Sequence, residues 1–308
     1  MHFSPLTLAD RPLVNDYLKR FPPMVSELTF TNLFAWRYSR PVWFMEFKNS
    51  LLFFAQTRMG MVLLGNPTGP VLLREVLERF GERIAGVERF PRTMLPGEPL
   101  TTLAQTVDDR DNADYVYRVT SLANLAGRGF AGKRNHISRC LAEHDCCYEE
   151  ISPTNLAGCL AMQERWCANR DCGANPGLCG EYRAIVEALT HFQEFALFGG
   201  AIRINGEIEA FTVGEALTSN TAVCHFEKAM PQFHGLGQLI NQWFAKFGLT
   251  AFEYVNREQD LGIPGLRQAK ESYTPDHMIE KVRIVLPQVQ PSTMAPLPSP
   301  EADRRCPE

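Results

Sequence analysis

The 308-residue chain contains no apolar run that approaches the roughly 20 residues a membrane-spanning helix requires. Its N-terminus, MHFSPLTLADRP, also lacks the basic and then apolar layout of a secretory signal peptide. From these two absences we expect a soluble protein of the cytoplasm, without a transmembrane segment.

The chain also lacks the cysteine spacings of a metal site. Seven of its nine cysteines lie between Cys140 and Cys179, yet no C-x-x-C pair occurs and two of the cysteines are adjacent. Structural zinc sites are usually built from closely spaced ligand pairs, and disulfides need an oxidising compartment. We therefore expect reduced thiols and no metal, with Cys159 and Cys167 packed as small apolar residues on a helix.

A strong excess of positive charge is absent as well. Lys and Arg number 31 against 35 Asp and Glu, which gives a formal net charge of −4. Any RNA contact must therefore depend on a local basic patch. With 45% hydrophobic residues, the chain is long enough to bury one large core or two ordinary ones.

The most informative segment is 221–247, where a predicted strand (TAVCHFEKA) leads through MPQFHGLGQ into an amphipathic helix. Upstream, AIRI-NG-EIEAFTVGEAL predicts a β-hairpin, because Asn205-Gly206 is the dipeptide that type I′ turns prefer. Downstream, AFEYV predicts a further strand. The apolar face of the predicted helix consists of Leu236, Leu239, Ile240, Trp243, Phe244 and Phe247.

The loop before this helix has the pattern Q-x-x-G-x-G. Glycines let backbone N–H groups approach a ligand closely, and a helix N-terminus adds unpaired donors and partial positive charge. Together they predict a pyrophosphate cradle of the kind that acyl-CoA N-acyltransferases of the GNAT fold use, with a plain tight turn as the alternative. The predicted cofactor-binding residues are Gln232, His234, Gly235, Leu236, Gly237 and Gln238.

The first part of the chain repeats the same order of elements. PVWFMEF-KNS-LLFFAQT predicts a hairpin, MGMVLLG a third strand, and GNPTGP a loop into a helix. We therefore predict an N-terminal degenerate lobe over 1–120 and a C-terminal lobe with the glycine loop over 121–285. Coincidental alternation of strands and helices is the alternative. The tail, 286–308, is rich in proline and polar residues and is expected to be disordered.

Between the predicted lobes, RGFAGKRNHISRC gathers basic residues around a helix start. The ordinary interpretation of such a run is a solvated helix face. The sharper one is a site for phosphate, in a lipid headgroup, a nucleotide or a tRNA acceptor end.

Several stretches of the chain resemble an uncharacterised bacterial family of tandem GNAT-like proteins. That family is related to the C-terminal domain of phosphatidylglycerol lysyltransferases and, more distantly, is similar to the Fem-type aminoacyl transferases of peptidoglycan synthesis. The resemblance covers nearly everything from Phe3 to Val285. The stretches that carry it are NREQDLGIPGLRQAKESYTP, GKRNH, QERWC, FTVGE, HFEKA and SELTFTNLFAWR.

The resemblance implies an α+β fold of two tandem GNAT-like lobes, with mixed, mostly antiparallel sheets flanked by helices. It also implies transfer of an acyl or aminoacyl group to an amine or hydroxyl. The expected donor is acyl-CoA, which the intact glycine pattern favours, or aminoacyl-tRNA, which the lysyltransferases use. The expected acceptor is a small molecule or a lipid headgroup, with tRNA as a further candidate partner.

Attack on an activated carbonyl needs a base for the nucleophile and a proton for the leaving group. Glu227, near the end of its strand, is the predicted base, and His225 lies on the same strand face and could assist. Tyr273 is the predicted proton donor to the leaving thiolate or ribose hydroxyl. The alternatives are polar side chains on a solvated strand face and a packed tyrosine.

The polar loop after AFEYV supplies further candidates, because loops at strand ends often carry binding groups. Arg267 and Lys270 share a helix face there and could grip a phosphate or carboxylate. The predicted substrate-binding residues are Lys133, Arg134, Asn135, Asn256, Arg257, Asp260, Arg267 and Lys270. The same features would serve a non-catalytic GNAT scaffold that binds or senses a phosphorylated small ligand, and this alternative stays open.

Overall fold

The computed structural model describes residues 3–57, 59–95, 104–170 and 176–287. The strands are β1 (Ser4–Pro5), β2 (Val42–Phe47), β3 (Ser50–Thr57), β4 (Gly60–Leu64), β5 (Gly86–Pro91), β6 (Gln105–Asp108), β7 (Asp114–Arg118), β8 (Cys146–Glu150), β9 (Phe198–Ile204), β10 (Glu207–Ala216), β11 (Thr221–Ala229), β12 (Tyr254–Asn256), β13 (His277–Ile279) and β14 (Lys281–Val285). The α-helices are α1 (Arg11–Arg20), α2 (Phe30–Ala35), α3 (Leu73–Phe80), α4 (Val119–Asn124), α5 (Ala131–Glu143), α6 (Leu156–Ala168), α7 (Pro176–Thr190), α8 (Leu236–Trp243) and α9 (Pro264–Glu271).

The described residues form two compact units. The first takes in the chain up to Asp114, the segment Gln259–Ile263 and the chain from Met278 onward. The second contains Tyr115–Glu258 and Pro264–His277. The segments Gln259–Ile263 and 278–285, which lie within the predicted C-terminal lobe, therefore belong to the first unit, and no change in composition marks them.

The predicted tail begins inside the first unit. Leu286 is buried in the hydrophobic core of that unit together with Val282 and Ile284 of β14. The rest of the predicted tail, 288–308, lies outside the described residues.

The first unit is built on a seven-stranded sheet in the order β1-β2-β3-β4-β5-β14-β6. Strands β2, β3 and β4 are antiparallel neighbours, whereas β4 and β5 are parallel and are joined through α3. Helix α3 buries Leu73, Val76, Leu77 and Phe80, which recur at helical spacing and so face the sheet together.

A cluster of charged side chains is buried in the first unit. The Lys281 ammonium lies 2.6 Å from a carboxylate oxygen of both Glu27 and Asp114, and all three side chains are closed to solvent. Burial alone would raise the pKa of Glu27, but Lys281 and Arg89 outweigh it and lower that pKa to about 2. The Gln259 side-chain amide donates to Glu27, Asp114 and the Ser26 hydroxyl, so the cluster is connected by hydrogen bonds.

The second unit repeats this plan with a sheet in the order β13-β7-β12-β11-β10-β9-β8. The predicted hairpin is confirmed: β9 and β10 are antiparallel, and Asn205 and Gly206 both have positive φ, as a type I′ turn requires. Strands β11 and β12 are parallel and are joined through α8, just as β4 and β5 are joined through α3. The predicted α+β class, with mixed and mostly antiparallel sheets flanked by helices, is thereby confirmed.

Cys159 and Cys167 are buried on α6, as predicted. The expectation for Phe247 is wrong, because its side chain remains 44% exposed. After Trp243 the helix continues as a π-turn over Phe244–Gly248, and the wider turn rotates Phe247 off the apolar face.

Candidate functional site

In the second sheet, the parallel strands β11 and β12 pair at one end only and separate after Val223. Strand β12 pairs with β11 only over Thr221–Val223, so within the described chain the later residues of β11 pair through the backbone with β10 alone. The register of β11 against β10 shifts between Val213 and Gly214, which leaves His225 as the extra residue of a β-bulge, so the prediction that His225 shares a strand face with Glu227 by regular alternation is wrong. The loop after β12 supplies the side chains that meet them.

The Glu227 carboxylate accepts hydrogen bonds from side chains of two other elements. The Arg257 guanidinium donates to Oε1 of Glu227 at 2.8 Å, and the Asn241 amide donates to Oε2 at 3.1 Å. Arg257 follows β12 and Asn241 lies on α8. Burial alone would lower the pKa of Arg257, but Glu227 outweighs this and raises it, so the guanidinium stays charged. The Glu227 carboxylate therefore has a fixed orientation.

Tyrosine rings and a lysine surround this ion pair. The Arg257 guanidinium carbon lies 5.3 Å from the centre of the Tyr273 ring, and the Lys133 ammonium lies 4.3 Å from the same ring. Lys133 also donates to the backbone carbonyl and the hydroxyl of Ser272, each at 2.8 Å. Burial raises the pKa of Tyr273 to about 12, so its phenol keeps its proton at neutral pH. Predicted residues from α5, β11 and the chain after β12 are thus brought together.

Lys270 adds another cation to this group. Its ammonium donates to the backbone carbonyl of Arg257, and the Tyr117 hydroxyl donates to the backbone carbonyl of Lys270 at 2.8 Å. Burial and the Arg257 charge lower the pKa of Lys270 to about 8. Burial and Arg257 lower the pKa of Lys133 as well. In both lysines burial is the larger cause and the Arg257 charge the smaller one.

His225 is held between two carboxylates. Its Nδ1 lies 2.9 Å from Glu258 and its Nε2 lies 2.8 Å from Glu215. Burial alone would lower the pKa of His225, but the two carboxylates outweigh it and raise that pKa to about 9. A doubly protonated imidazole with both N–H groups bonded has no free lone pair. In this geometry His225 holds neighbouring groups in place rather than accepting a proton.

The loop after β12 begins with a turn at Glu258 that positions the Arg257 side chain. Glu258 has a left-handed backbone (φ 57°), which is rare for a residue other than glycine. Its N–H donates to the Asn256 side chain at 2.8 Å, and its carbonyl accepts from the N–H of Tyr115. Asn256 is fully buried, and by accepting this hydrogen bond its side chain stabilises the turn. The turn leaves the Arg257 side chain directed at Glu227.

The glycine loop is used for helix packing. Gly235 has φ +89°, and a Cβ at this position would lie 2.1 Å from the carbonyl oxygen of His136 in α5. The N–H of Leu236 donates to the carbonyl of Phe233 at 3.2 Å. The close approach of α5 is thus a sufficient reason for glycine at 235, independent of any ligand. At Gly237 the nearest atom to a Cβ is 4.0 Å away.

Of the other predicted cofactor-binding side chains, Leu236 is fully buried in the core at the start of α8, and the remaining three reach solvent to different extents. Gln232 and His234 are exposed, and Gln238 is half-buried. They lie beside the start of α8.

The remaining predicted substrate-binding residues are used elsewhere. Arg134 donates to the backbone carbonyls of Leu125 and Gly127 and so closes the end of α4. Asn135 is exposed on α5, and Arg267 is half-buried on α9.

Asp260 belongs to the first unit, where it is fully buried and pairs with Arg110 at 3.0 Å. Sequence reasoning did not find Asn241, whose only signal is a polar residue inside the apolar stretch of α8.

No three His, Cys, Asp or Glu side chains of the described residues are arranged to hold a metal ion. No helix among them combines the length and the apolar character needed to cross a membrane.

Solved structures share this architecture. A protein of unknown function from Bacteroides thetaiotaomicron is 32% identical, with a TM-score of 0.81 over 92% of this chain and 99% of the other. L-PGS from Bacillus licheniformis is 15% identical, with a TM-score of 0.61 over 93% and 94% of the two chains. FemX is 8% identical, with a TM-score of 0.55 over 93% and 97%. The last two show the fold alone, and they confirm the predicted tandem GNAT-like architecture.

The fold and the similar structures define the chain as a tandem GNAT-like protein. Over residues 18–284 it matches the family described as phosphatidylglycerol lysyltransferase, C-terminal, and it belongs to that family. The predicted relation to this domain is therefore confirmed. Comparison with curated proteins finds no match.

Proposed function

We propose that the second unit is a transferase that moves an aminoacyl or acyl group from a carrier to an amine or hydroxyl. The observation that carries the proposal is the convergence of Glu227, Arg257, Lys270 and Tyr273 where β12 ends. A fixed carboxylate, a protonated phenol and crowded cations are the groups that attack on an activated carbonyl requires. The family description names a lysyl group as what is transferred.

In the proposed reaction Glu227 accepts the proton of the attacking amine or hydroxyl. The donor carbonyl gains negative charge during the attack, and Arg257 and Lys270 supply positive charge beside it. Tyr273 gives its proton to the leaving oxygen or sulfur as the bond to the carrier breaks. His225 acts indirectly, because it holds Glu258 and with it the turn that aims Arg257.

The proposed carrier is aminoacyl-tRNA, with acyl-CoA as the other candidate. The sequence argument for CoA depended on the glycine pattern, and the packing of α5 against Gly235 accounts for that glycine without a ligand. A tRNA acceptor end and a CoA pyrophosphate both carry phosphate, which suits the cations Lys133, Arg257 and Lys270. The proposed acceptor is a small molecule or a lipid headgroup, and the proposed location is the cytoplasm.

The test is a transfer assay with charged tRNA or acyl-CoA as donor and a panel of amines, hydroxyl compounds and phosphatidylglycerol vesicles as acceptors. Mass spectrometry of the acceptors identifies the product. Glu227→Gln is expected to slow transfer by roughly 100-fold, in the range of a lost general base. The matched control is Glu181→Gln, because Glu181 also pairs with a cation, Lys228, on the other side of β11.

Product from the wild type that is lost in Glu227→Gln and kept in Glu181→Gln supports the proposal. Donor binding without any product across the panel supports the sensor alternative instead. Equal rates for Glu227→Gln and the wild type would remove Glu227 from the reaction.

A further inference from the structure

Two thiols of the second unit face each other where α5 leads into β8. Cys140 lies in the last turn of α5, Cys146 is the first residue of β8, and their Sγ atoms are 4.0 Å apart. The connection between them is tight, because the His144 N–H donates to the carbonyl of Cys140 at 3.0 Å. A disulfide has an S–S distance of about 2.0 Å, so the two sulfurs must approach each other by roughly 2 Å to form one. Rotation about a Cα–Cβ bond moves a sulfur over distances of this size.

The pair combines a sulfur that a reagent can reach with one that it cannot. Cys140 is fully buried, whereas Cys146 is half-buried on β8, which stands at one end of the strand order of its sheet. Cys147 is exposed, but neighbouring residues of a strand point to opposite faces, so Cys147 is directed away from Cys140. A small oxidant therefore meets Cys146 first, and Cys140 is the thiol placed to complete a bond to it.

Cys140 also packs against the glycine loop. A Cβ at Gly235 would lie 3.3 Å from the Cβ of Cys140. The same helix carries Lys133, which donates to Ser272 in the candidate site. A covalent bond from Cys140 to β8 would therefore fix the end of the helix against which the glycine loop packs.

We propose that Cys140 and Cys146 are a modification site, where the two thiols close to a reversible disulfide by exchange with a low-molecular-weight disulfide. In the first step the Cys146 thiolate attacks one sulfur of the small disulfide, so that a mixed disulfide forms and one small thiol leaves. In the second step the Cys140 thiolate attacks the Cys146 sulfur, and the second small thiol leaves. The protein loses two electrons and two protons, and the small disulfide is reduced to two thiols. The proposal does not depend on the transfer reaction.

The surroundings of the pair set the pace of this exchange. Burial raises the pKa of both thiols, that of Cys146 to about 12, so little thiolate exists at neutral pH. The first step is therefore slow, and the free thiols persist until the oxidant is abundant. The second step is intramolecular, and the proximity of the two sulfurs offsets the scarcity of thiolate.

The experiment is incubation of the folded full chain with oxidised glutathione at about pH 8.5, near the pKa of an ordinary thiol. Free thiols are then blocked with an alkylating reagent, and the chain is cut after Arg139 with trypsin and after Glu143 and Glu149 with a glutamyl endopeptidase. This digestion separates Cys140 in the peptide 140–143 from Cys146 in the peptide 144–149. Mass spectrometry is expected to find these two peptides joined by a disulfide, which dithiothreitol separates again.

Two variants, checked for folding by circular dichroism, identify the cysteines. The matched control is Cys147→Ser, which should form the same cross-link because Cys147 is directed away from Cys140. The test variant is Cys140→Ala combined with Cys147→Ser. It lacks the closing thiol and should stop at the mixed disulfide, with one glutathione retained on Cys146.

A comparison with the unfolded chain tests whether the fold brings the thiols together. In one glutathione buffer, the ratio of disulfide to dithiol at this pair should be at least about 10-fold higher in the folded protein than in concentrated urea, because a disulfide that fits the fold stabilises it. Three results would overturn the proposal: no joined peptides from the folded wild type, loss of the cross-link in Cys147→Ser, or a ratio in the folded protein that is equal to or lower than that in urea.

Discussion

Replacement of His225 by glutamine is predicted to reduce stability in a way that depends on pH. His225 is buried between Glu215 and Glu258, and its pKa rises from 6.5 to about 9 in the folded protein. Each pKa unit is worth about 1.4 kcal/mol, so the protonated imidazole contributes on the order of 3 kcal/mol.

The sign follows from proton binding in the two states. The folded pKa lies above the unfolded pKa, so the contribution is fully present below pH 6.5. Between pH 6.5 and about 9 the folded state binds more protons than the unfolded state, and stability falls as the pH rises. Above that range the contribution is lost. The stability difference between the wild type and His225→Gln should therefore shrink by about 3 kcal/mol from acid to alkaline pH.

Urea unfolding across this pH range measures the stability difference between the wild type and His225→Gln. Amide hydrogen exchange in β11 reports the stability of the second unit by itself. The control is His277→Gln, because His277 also bonds a carboxylate, that of Asp276, but its side chain is 46% exposed. Exposed pairs contribute little, so this variant should follow the wild type at every pH. A His225→Gln deficit of the same size at both ends of the pH range would refute the reasoning.

Three further predictions concern other buried groups. Gly235→Ala should lower the melting temperature much more than Gly206→Ala, because both glycines have positive φ but only at 235 would a Cβ meet a backbone carbonyl, at 2.1 Å; equal losses would contradict this. Lys281→Met should cost roughly 3–5 kcal/mol in urea unfolding, because it leaves two buried carboxylates without their cation, whereas the exposed Lys48→Met should cost little. The folded pKa of Lys270 is lowered to about 8, so wild-type stability should rise relative to Lys270→Met between pH 8 and 10.5, and a flat difference would contradict it.

Sequence reasoning found the repeated plan of the fold because its signals are local. The Asn205-Gly206 turn, the apolar spacing of α8 and the strand that follows are each readable within a few residues. It could not find that Gln259–Ile263 joins the first unit, because that segment is fixed by contacts with residues far away in sequence. The buried partners of Lys281 are 254 and 167 positions distant for the same reason.

Sequence reasoning named several residues of the candidate site, but it did not predict which of them contact one another. Glu227, Tyr273, Arg257 and Lys270 were singled out as polar groups at strand ends. Their grouping depends on the opening between β11 and β12 and on the turn at Glu258, neither of which has a sequence signature. The same limit applies to the glycine loop, where a packing glycine and a ligand-binding glycine look alike until the neighbouring helix is in place.

Binding of a donor at the cluster around Arg257 is the central claim, and titration calorimetry with charged tRNA and with acyl-CoA tests it most directly. The variants are Arg257→Gln and, as the matched control, Arg118→Gln, because Arg118 also pairs with carboxylates but is 47% exposed. We predict that one donor binds the wild type and Arg118→Gln equally and that Arg257→Gln, checked for folding by circular dichroism, loses this binding. Equal donor affinity in folded Arg257→Gln, or binding of neither donor by the wild type, would contradict the account.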